Sequence, residues 1–584
     1  MHRLLVLFLS RFLRLWMLMS LAVVGMTAGA AELPAFNEGA VQAWWKALPA
    51  DADFVREGQA WQQKLREVQE SSGVERIGAM PNFLGWLEIA SWLELAGAQP
   101  GGFLGSPDGR AAFGKVGADP VLRKMFLANL SAFDDAPKAA EILCRIVHAE
   151  ADGCRELPQL AVAMALVWDQ PFPENWPHPW VKRADLPLGD SDPEKRFHAF
   201  LQVRDGFEVK PGVVRKLAVD PKRLTARDLM FVIDTPLELK ELAYILQIHL
   251  ADPRRLNDLF KQVPYDTPRM SRDSLLWSNG LYRLIDIGTK GGICVDQAYF
   301  VSMAGKAQGI PSIMLQGQGT TGGHAWVGYM GSPGKWSLDV ARYREGKYTS
   351  GVTWDPQTWR RITDSQLVLL NREPNTTNAA LKGRLLARWA LMNQSAENYP
   401  RLLGIAREAW PHSFDVWQLQ AACLEERNLP PPSRKLFWEN WIAAFKDDPD
   451  MRFQGQCALL RHFESLFDAK SAGALRAQIV TENKRARFDL ASSLAAAPIL
   501  DLGTQGKWPQ AWSAFENFLQ ETKAQAEGNL FYNLVQPFIE QAAQAGEIVI
   551  AENALKLAKP RFQIVPLSTL AVDFKALDNL LQNK

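Results

Sequence analysis

Apolar residues recur every three or four positions through much of the first third of the chain, for example over residues 83–89 and 160–167. An α-helix has 3.6 residues per turn, so this spacing puts the apolar side chains on one helix face. Between about 290 and 370 the pattern changes to one helix followed by short apolar runs typical of β-strands. From about residue 380 the helical spacing returns. The pattern therefore predicts an α+β core between two mainly helical regions.

The length of 584 residues exceeds what one hydrophobic core usually supports. We predict a mainly helical N-terminal region over 31–215, the α+β core over 216–372, and a helical C-terminal domain over 380–584. Segments 406–411 and 506–512 of that last domain are faintly similar to pieces of tetratricopeptide-type repeats. Their periodicity is too ragged to define a repeat length.

The N-terminal 30 residues have the layout of a secretory signal peptide. Three arginines precede or flank an apolar run over residues 15–26, and the small residues Ala-Gly-Ala follow at 28–30. The sequence therefore predicts a secreted or periplasmic bacterial protein. An uncleaved N-terminal anchor is the alternative, and beyond it no other segment is expected to cross a membrane.

Charge and composition exclude some classes of function. The 65 basic and 64 acidic residues nearly cancel, and no long cluster of Lys and Arg interrupts the chain. Since proteins that bind nucleic acids depend on such clusters to neutralise phosphates, we expect no nucleic acid partner. Apolar residues make up 47% of the chain, which is enough for every domain to form a packed core.

Five cysteines are an odd number for an exported protein, in which thiols tend to form pairs. Pairing Cys144 with Cys154 and Cys423 with Cys457 would leave Cys294 free. In the alternative, all four of those cysteines are reduced and buried as small hydrophobic residues.

Two segments resemble motifs that bind metals or cofactors, but the residues around each of them do not fit such a site. Cys144, His148 and Cys154 have no fourth ligand nearby and match no common zinc spacing. Residues 317–322 fit the pattern GxGxxG, but a strand follows where dinucleotide binding requires a helix. We therefore expect no metal and no cofactor.

The segment from 290 to 343 carries the candidate chemistry. Cys294 follows two glycines and opens an apolar helical pattern that ends near residue 309. Unpaired backbone N–H groups and the positive end of the helix dipole favour a thiolate at such a position, and we expect a lowered pKa. Asp296, in the same first turn, suits the helix dipole and is given no catalytic role.

Two short β-type runs after this helix carry the other candidate residues. His324 begins one run after a glycine-rich loop, and Asp339 lies in the next run after a Gly-Ser-Pro-Gly turn. Adjacent antiparallel strands can place the two side chains together. A thiol, a histidine base and a carboxylate that orients the histidine form a generalised catalytic triad.

Here the chain resembles the transglutaminase-like superfamily, whose members have a papain-like core. The motifs that carry the resemblance occur in the family's order and at fitting intervals, and they are Gly292-Ile293-Cys294, Gly323-His324-Ala325-Trp326-Val327 and Leu338-Asp339-Val340. The resemblance covers about 215–370. It implies that Cys294 is the nucleophile, His324 the base and Asp339 the residue that orients it.

The family also uses a side-chain oxyanion donor upstream of the cysteine. Trp277 and Tyr265 are both candidates for this role, and no motif decides between them.

The resemblance implies thiol-dependent acyl transfer or hydrolysis on protein or peptide amides through a thioester on Cys294. Protease, amidase and cross-linking activities would use the same residues, so the sequence does not separate them. The alternative is a catalytically idle scaffold that binds a protein partner through its helical regions, since fold alone does not fix function. The C-terminal helical domain is the region expected to bind such a partner.

Overall fold

The computed structural model describes most of the chain from residue 32 to residue 582. Its described ranges are 32–49, 51–98, 102–248, 252–270, 275–319, 321–342, 350–371, 378–466, 468–483, 487–521 and 528–582. The predicted signal peptide lies outside them. Within these ranges, no helix combines the length and apolar character needed to cross a bilayer.

Helices dominate the described residues on both sides of a small antiparallel sheet, as the apolar periodicity predicts. The helices of the N-terminal region span Glu38–Ala47, Phe54–Ser72, Pro81–Glu94, Pro107–Ala118, Pro120–Asn129, Ala136–Ala149, Ala151–Glu156, Pro158–Val167 and Pro193–Arg204. Many of them start with a proline at the first helical position, where the missing N–H removes no intrahelical bond.

The central region combines short helices with a five-stranded sheet. Its helices span Ala226–Ile233, Leu239–Leu246, Leu256–Gln262, Thr267–Met270, Leu284–Lys290, Cys294–Ala307 and Asp364–Leu370. Strands β1 (Phe207–Lys210) and β2 (Val213–Arg215) form a separate hairpin. The sheet itself contains β3 (Ser312–Gly319), β4 (Gly322–Ser332), β5 (Lys335–Val340), β6 (Val352–Trp354) and β7 (Arg361–Thr363).

The sheet is antiparallel throughout, in the order β5-β4-β3-β6-β7. Alternate side chains of β4 face opposite sides, because successive side chains of a strand alternate. Ala325, Val327 and Tyr329 join the apolar cluster of the helix Cys294–Ala307, which we call the Cys294 helix. Trp326 joins a smaller cluster on the other face. The Cys294 helix thus covers one face of the sheet.

The C-terminal helices span Asn378–Met392, Tyr399–Ala409, Phe414–Glu426, Pro431–Ala444, Pro449–Leu466, Ala469–Asn483, Phe488–Thr504, Trp508–Glu521, Gly528–Leu530, a π-helical segment Phe531–Val535, Gln536–Gln544, Ile548–Ala558 and Thr569–Gln582. Their buried side chains belong to several cores. Leu385 and Trp389 join the core of the N-terminal helices, whereas residues from Ala496 to Leu581 form a core of their own. The region predicted as one C-terminal domain therefore begins packed against the N-terminal region.

All five cysteines are free thiols. Cys144, Cys154 and Cys423 are buried, and Cys457 is half-buried. Burial raises the pKa of Cys154 to about 12 and that of Cys457 to about 11. The structure therefore has the four cysteines as small hydrophobic residues rather than as two disulfides.

Candidate functional site

Cys294 is the first residue of the Cys294 helix, as the sequence predicts. The preceding glycines allow a close approach of the backbone to Pro264. Gly291 has a φ of 88°, and a Cβ on it would lie 2.3 Å from the carbonyl oxygen of Pro264. The N–H of Gly292 donates to that same oxygen at 2.9 Å. These contacts fix the turn that delivers Cys294 to the sheet.

A buried cluster of polar side chains, centred on Asp296, is hydrogen-bonded to this turn. The Asp296 carboxylate accepts hydrogen bonds from the Ile293 N–H at 2.7 Å, from the Tyr282 hydroxyl at 2.7 Å and from the Arg269 guanidinium at 2.5 Å. Asp296 is fully buried and Arg269 is 1% exposed. Burial raises the pKa of Asp296, and Arg269 and Tyr282 oppose that rise. Asp296 therefore positions the helix start, a role larger than the dipole interaction expected from sequence.

His178 extends this cluster as a neutral imidazole. Because the Tyr282 hydroxyl donates its proton to Asp296, His178 Nε2 must donate to the Tyr282 oxygen, 2.8 Å away. The other ring nitrogen, Nδ1, accepts from the Trp180 N–H at 3.3 Å. Burial lowers the pKa of His178 to about 3. Both ring nitrogens are thus satisfied only when the ring is uncharged.

His178 should make the folded protein sensitive to acid. An unfolded histidine binds a proton below about pH 6.5, whereas folded His178 stays neutral down to about pH 3. Stability from this group is therefore complete above pH 6.5 and falls as the pH decreases. Between pH 7 and pH 5, wild type should lose about 2 kcal/mol more unfolding free energy than His178→Gln, as urea denaturation measures. Equal losses in the two proteins would contradict this.

The sulfur of Cys294 meets strand β4 next to His324. Cys294 packs in the same apolar cluster as Ala325 of that strand. The backbone N–H groups of Ala325, Val295 and Cys294 itself lower the pKa of the thiol, against the larger effect of burial. A developing negative charge at this place would be stabilised by the same groups.

The imidazole of His324 is held by a backbone carbonyl. Its Nε2 lies 2.8 Å from the carbonyl oxygen of Ala341, the residue after β5, and its ring stacks near Trp326 at 6.1 Å between centroids. Ala341 has a φ of 62°, in the left-handed region that is uncommon for residues other than glycine. A carbonyl acceptor on Nε2 fixes the tautomer and ring orientation, which is the task that a triad carboxylate performs.

Asp339 lies away from His324, on the solvent side of β5. In the described part of the chain its carboxylate contacts Arg342 at 3.1 Å, and its side chain is 74% exposed. The register pairs Val340 with Val327, so Asp339 is not opposite His324. The side-by-side arrangement expected from sequence is therefore absent, because the alternation of β5 points Asp339 to solvent.

Both reactive groups are uncharged in this arrangement. Burial raises the pKa of Cys294 to about 11, although backbone hydrogen bonds oppose the rise. Burial likewise lowers the pKa of His324 to about 4. The lowered thiol pKa expected from the helix N-terminus is therefore wrong, because desolvation, with the Asp296 charge, outweighs the backbone N–H groups.

The two residues considered as oxyanion donors differ in their surroundings. The Trp277 indole N–H donates to the Gly280 carbonyl at 2.9 Å, and its ring is buried. Tyr265 is 47% exposed, and its backbone forms a bridge with Gly292 beside Cys294. Trp277 thus has its N–H engaged in the structure, and Tyr265 is the one that borders the site.

The C-terminal helices reach the strand that carries His324. The Thr569 hydroxyl donates to the carbonyl of Gly323 at 3.0 Å, and the backbone of Gly323 opposes the rise that burial causes in the pKa of Tyr532. Tyr532 in turn donates to Asp573 at 2.5 Å. The carbonyl of the peptide bond before His324 is therefore held by a residue 246 positions away. No sequence pattern indicates these contacts.

Comparison with known proteins identifies no relative: no protein-family model matches the chain, and neither a curated protein nor a solved structure shows significant similarity to it.

Proposed function

We propose that this protein is a thiol-dependent acyl transferase or hydrolase of protein or peptide amides, with a papain-like core of the transglutaminase type. The packing of Cys294 with Ala325 in one apolar cluster carries the proposal, because it puts a thiol at a helix start against the strand of a histidine. The left-handed Ala341, whose carbonyl holds His324, adds support, since strained backbone residues cluster at functional sites.

The neutral states of both groups suit a general-base mechanism. The Cys294 sulfur adds to the substrate carbonyl carbon while its proton moves to Nδ1 of His324, the ring nitrogen that does not face the Ala341 carbonyl. The tetrahedral intermediate then expels the amine, which takes that proton as the C–N bond breaks, and a thioester remains on Cys294. Water or a second amine attacks the thioester and restores the thiol. The Ala341 carbonyl keeps His324 oriented, in place of the Asp339 carboxylate.

A second function is favoured by one observation. The thiol of Cys294 has no more acidic character than Cys457, because burial raises both pKa values to about 11. A thiol that is not activated is expected in a catalytically idle scaffold, whose helical regions would bind a protein partner. In that case the C-terminal helices are the binding region.

Mass spectrometry of protein and peptide mixtures, after incubation with the protein, distinguishes the enzyme from the idle scaffold. Wild-type protein should produce cleavage, deamidation or cross-links and should carry an acyl adduct on Cys294, whereas Cys294→Ala should produce none. Cys457→Ala is the matched control, since that thiol is also half-buried, and it should behave as wild type. Identical products from wild type and Cys294→Ala would overturn the enzyme proposal and favour the scaffold.

A further inference from the structure

A cavity of about 240 Å³ lies between two helices at some distance from Cys294. The helix Pro193–Arg204 and the helix Leu239–Leu246 both line it, and the last turn of the Cys294 helix contributes Lys306 and Ala307. A helix rises 1.5 Å per residue, so that last turn lies about 18 Å from Cys294 along the helix axis. The cavity is therefore separate from the candidate catalytic site.

The side chains around the cavity are mostly apolar. Along one helix Leu239, Leu242, Ala243 and Leu246 follow the spacing of three and four that defines a single helix face, and all four line the cavity. Leu239 is 46% exposed, so the cavity is open to solvent at this helix. Apolar cavities of about 150 Å³ take up molecules the size of benzene, and this cavity has room for a larger ligand.

Two cations line the cavity, and they differ in their partners. Lys306 forms an ion pair with Asp234 and also donates to the Phe231 carbonyl at 3.0 Å. Arg196 is 7% exposed, and within the described ranges it forms no ion pair with a carboxylate. The charge of Lys306 is therefore compensated by a direct partner, whereas that of Arg196 is not.

The Arg196 guanidinium donates its hydrogen bonds to main-chain carbonyls. Its Nε donates to Asp190 at 2.7 Å, and its terminal nitrogens donate to Thr235 at 2.7 Å and to Leu237 at 3.0 Å. Since a guanidinium has five N–H groups, one N–H on each terminal nitrogen has no acceptor in the described part of the chain. The carboxylate of Asp190 is exposed and pairs with Lys195. Burial lowers the pKa of Arg196 to about 10, which leaves it charged at neutral pH.

A buried charge is normally paired, because an isolated ion loses its hydration without compensation. A carboxylate would supply the missing counter-charge, and its two oxygens can accept the two remaining N–H groups of Arg196. The leucine-rich wall of the cavity suits an aliphatic chain attached to that carboxylate.

We propose that this cavity binds an aliphatic monocarboxylate, with the carboxylate at Arg196 and the chain against Leu239, Leu242 and Leu246. The site does not rest on the proposed acyl transfer, because neither Cys294 nor His324 takes part in it.

Isothermal titration calorimetry of the full-length protein tests the site with ligands that differ in one property. Octanoate should bind with one molecule per chain and roughly 10- to 100-fold more tightly than octan-1-ol, the effect of hydrogen bonds to a charged group. Hexanoate should bind roughly 10-fold more weakly than octanoate, because two fewer methylene groups are buried. Equal affinities for octanoate and octan-1-ol would overturn the proposal, and that comparison requires no variant to fold.

A pair of substitutions at Leu242 isolates the role of charge. Leu242→Glu puts a second carboxylate into the cavity that Arg196 lines, whereas Leu242→Gln has nearly the same volume and no charge. Octanoate should bind the Glu variant roughly 10-fold more weakly than the Gln variant, while octan-1-ol should bind both alike. Equal octanoate affinities in the two variants would show that the cavity does not recognise an anion, contrary to the proposal.

A larger side chain at position 243 tests the location of the site. Ala243→Trp should fill the cavity and weaken octanoate binding at least roughly 10-fold. Ala111→Trp is the matched control, because Ala111 is also exposed on a helix and does not line the cavity, and it should bind octanoate as wild type does. Undiminished octanoate binding by Ala243→Trp would place the ligand elsewhere and refute the assignment.

Discussion

Replacing His324 by alanine should lower the rate of acyl transfer roughly 10²- to 10⁴-fold, the contribution typical of a positioned general base. The reason is that burial raises the pKa of the Cys294 thiol to about 11, so few thiolates exist at neutral pH without a base to remove the proton. Steady-state kinetics on the substrate found by mass spectrometry measure this, and the loss should fall mainly on kcat. A loss of less than about threefold would exclude His324 as the base.

Asp339→Asn is the matched comparison for His324→Ala. A carboxylate that orients the catalytic histidine contributes up to about 10⁴-fold to kcat. Because Asp339 is 74% exposed and contacts Arg342, we expect its replacement to change kcat less than about threefold. A large loss in Asp339→Asn would mean that the carboxylate reaches His324 during turnover, and the Ala341 carbonyl would then not be the orienting group.

Asp296→Asn should lower the free energy of unfolding by about 3 to 5 kcal/mol, because it leaves the buried Arg269 without its counter-charge. The variant keeps the volume of the side chain, so the effect reports charge and hydrogen bonding rather than a cavity. Urea denaturation followed by exposure of Cys294 to a thiol reagent measures the region that contains the cluster.

Asp339→Asn again provides the control, since an exposed aspartate should change the free energy of unfolding by no more than about 0.5 kcal/mol. If Asp296→Asn and Asp339→Asn unfold at the same urea concentration, the buried cluster does not stabilise the turn before Cys294.

Local pattern was enough to predict the main elements of the core. The glycines before Cys294 and the apolar spacing after it predict a helix start at that residue, which is confirmed. The runs that contain His324 and Asp339 are strands, as predicted, and they pair in the antiparallel sense. In each case the information lies within a few residues of the element, where turn chemistry and periodicity operate.

Contacts that depend on backbone atoms or distant segments could not be predicted. The carbonyl of Ala341 leaves no signal in the sequence, because every residue has one. Gln316 and Gln318 read as the polar face of an alternating strand, and only the packing around β3 shows that their amide atoms are buried. Thr569 lies 246 positions from Gly323, and no local rule connects them.

The contact of the C-terminal helices with Gly323 affects where this protein can be truncated and which segments can be transferred to another protein. A shortened version that ended near residue 372 would contain all three motifs around Cys294, His324 and Asp339, yet it would lose the hydrogen bond from Thr569 to the carbonyl before His324. Grafting the segment from 216 to 372 onto another protein would have the same defect. We therefore expect a version that keeps the surroundings of His324 intact to extend through the helix Thr569–Gln582, which carries Thr569.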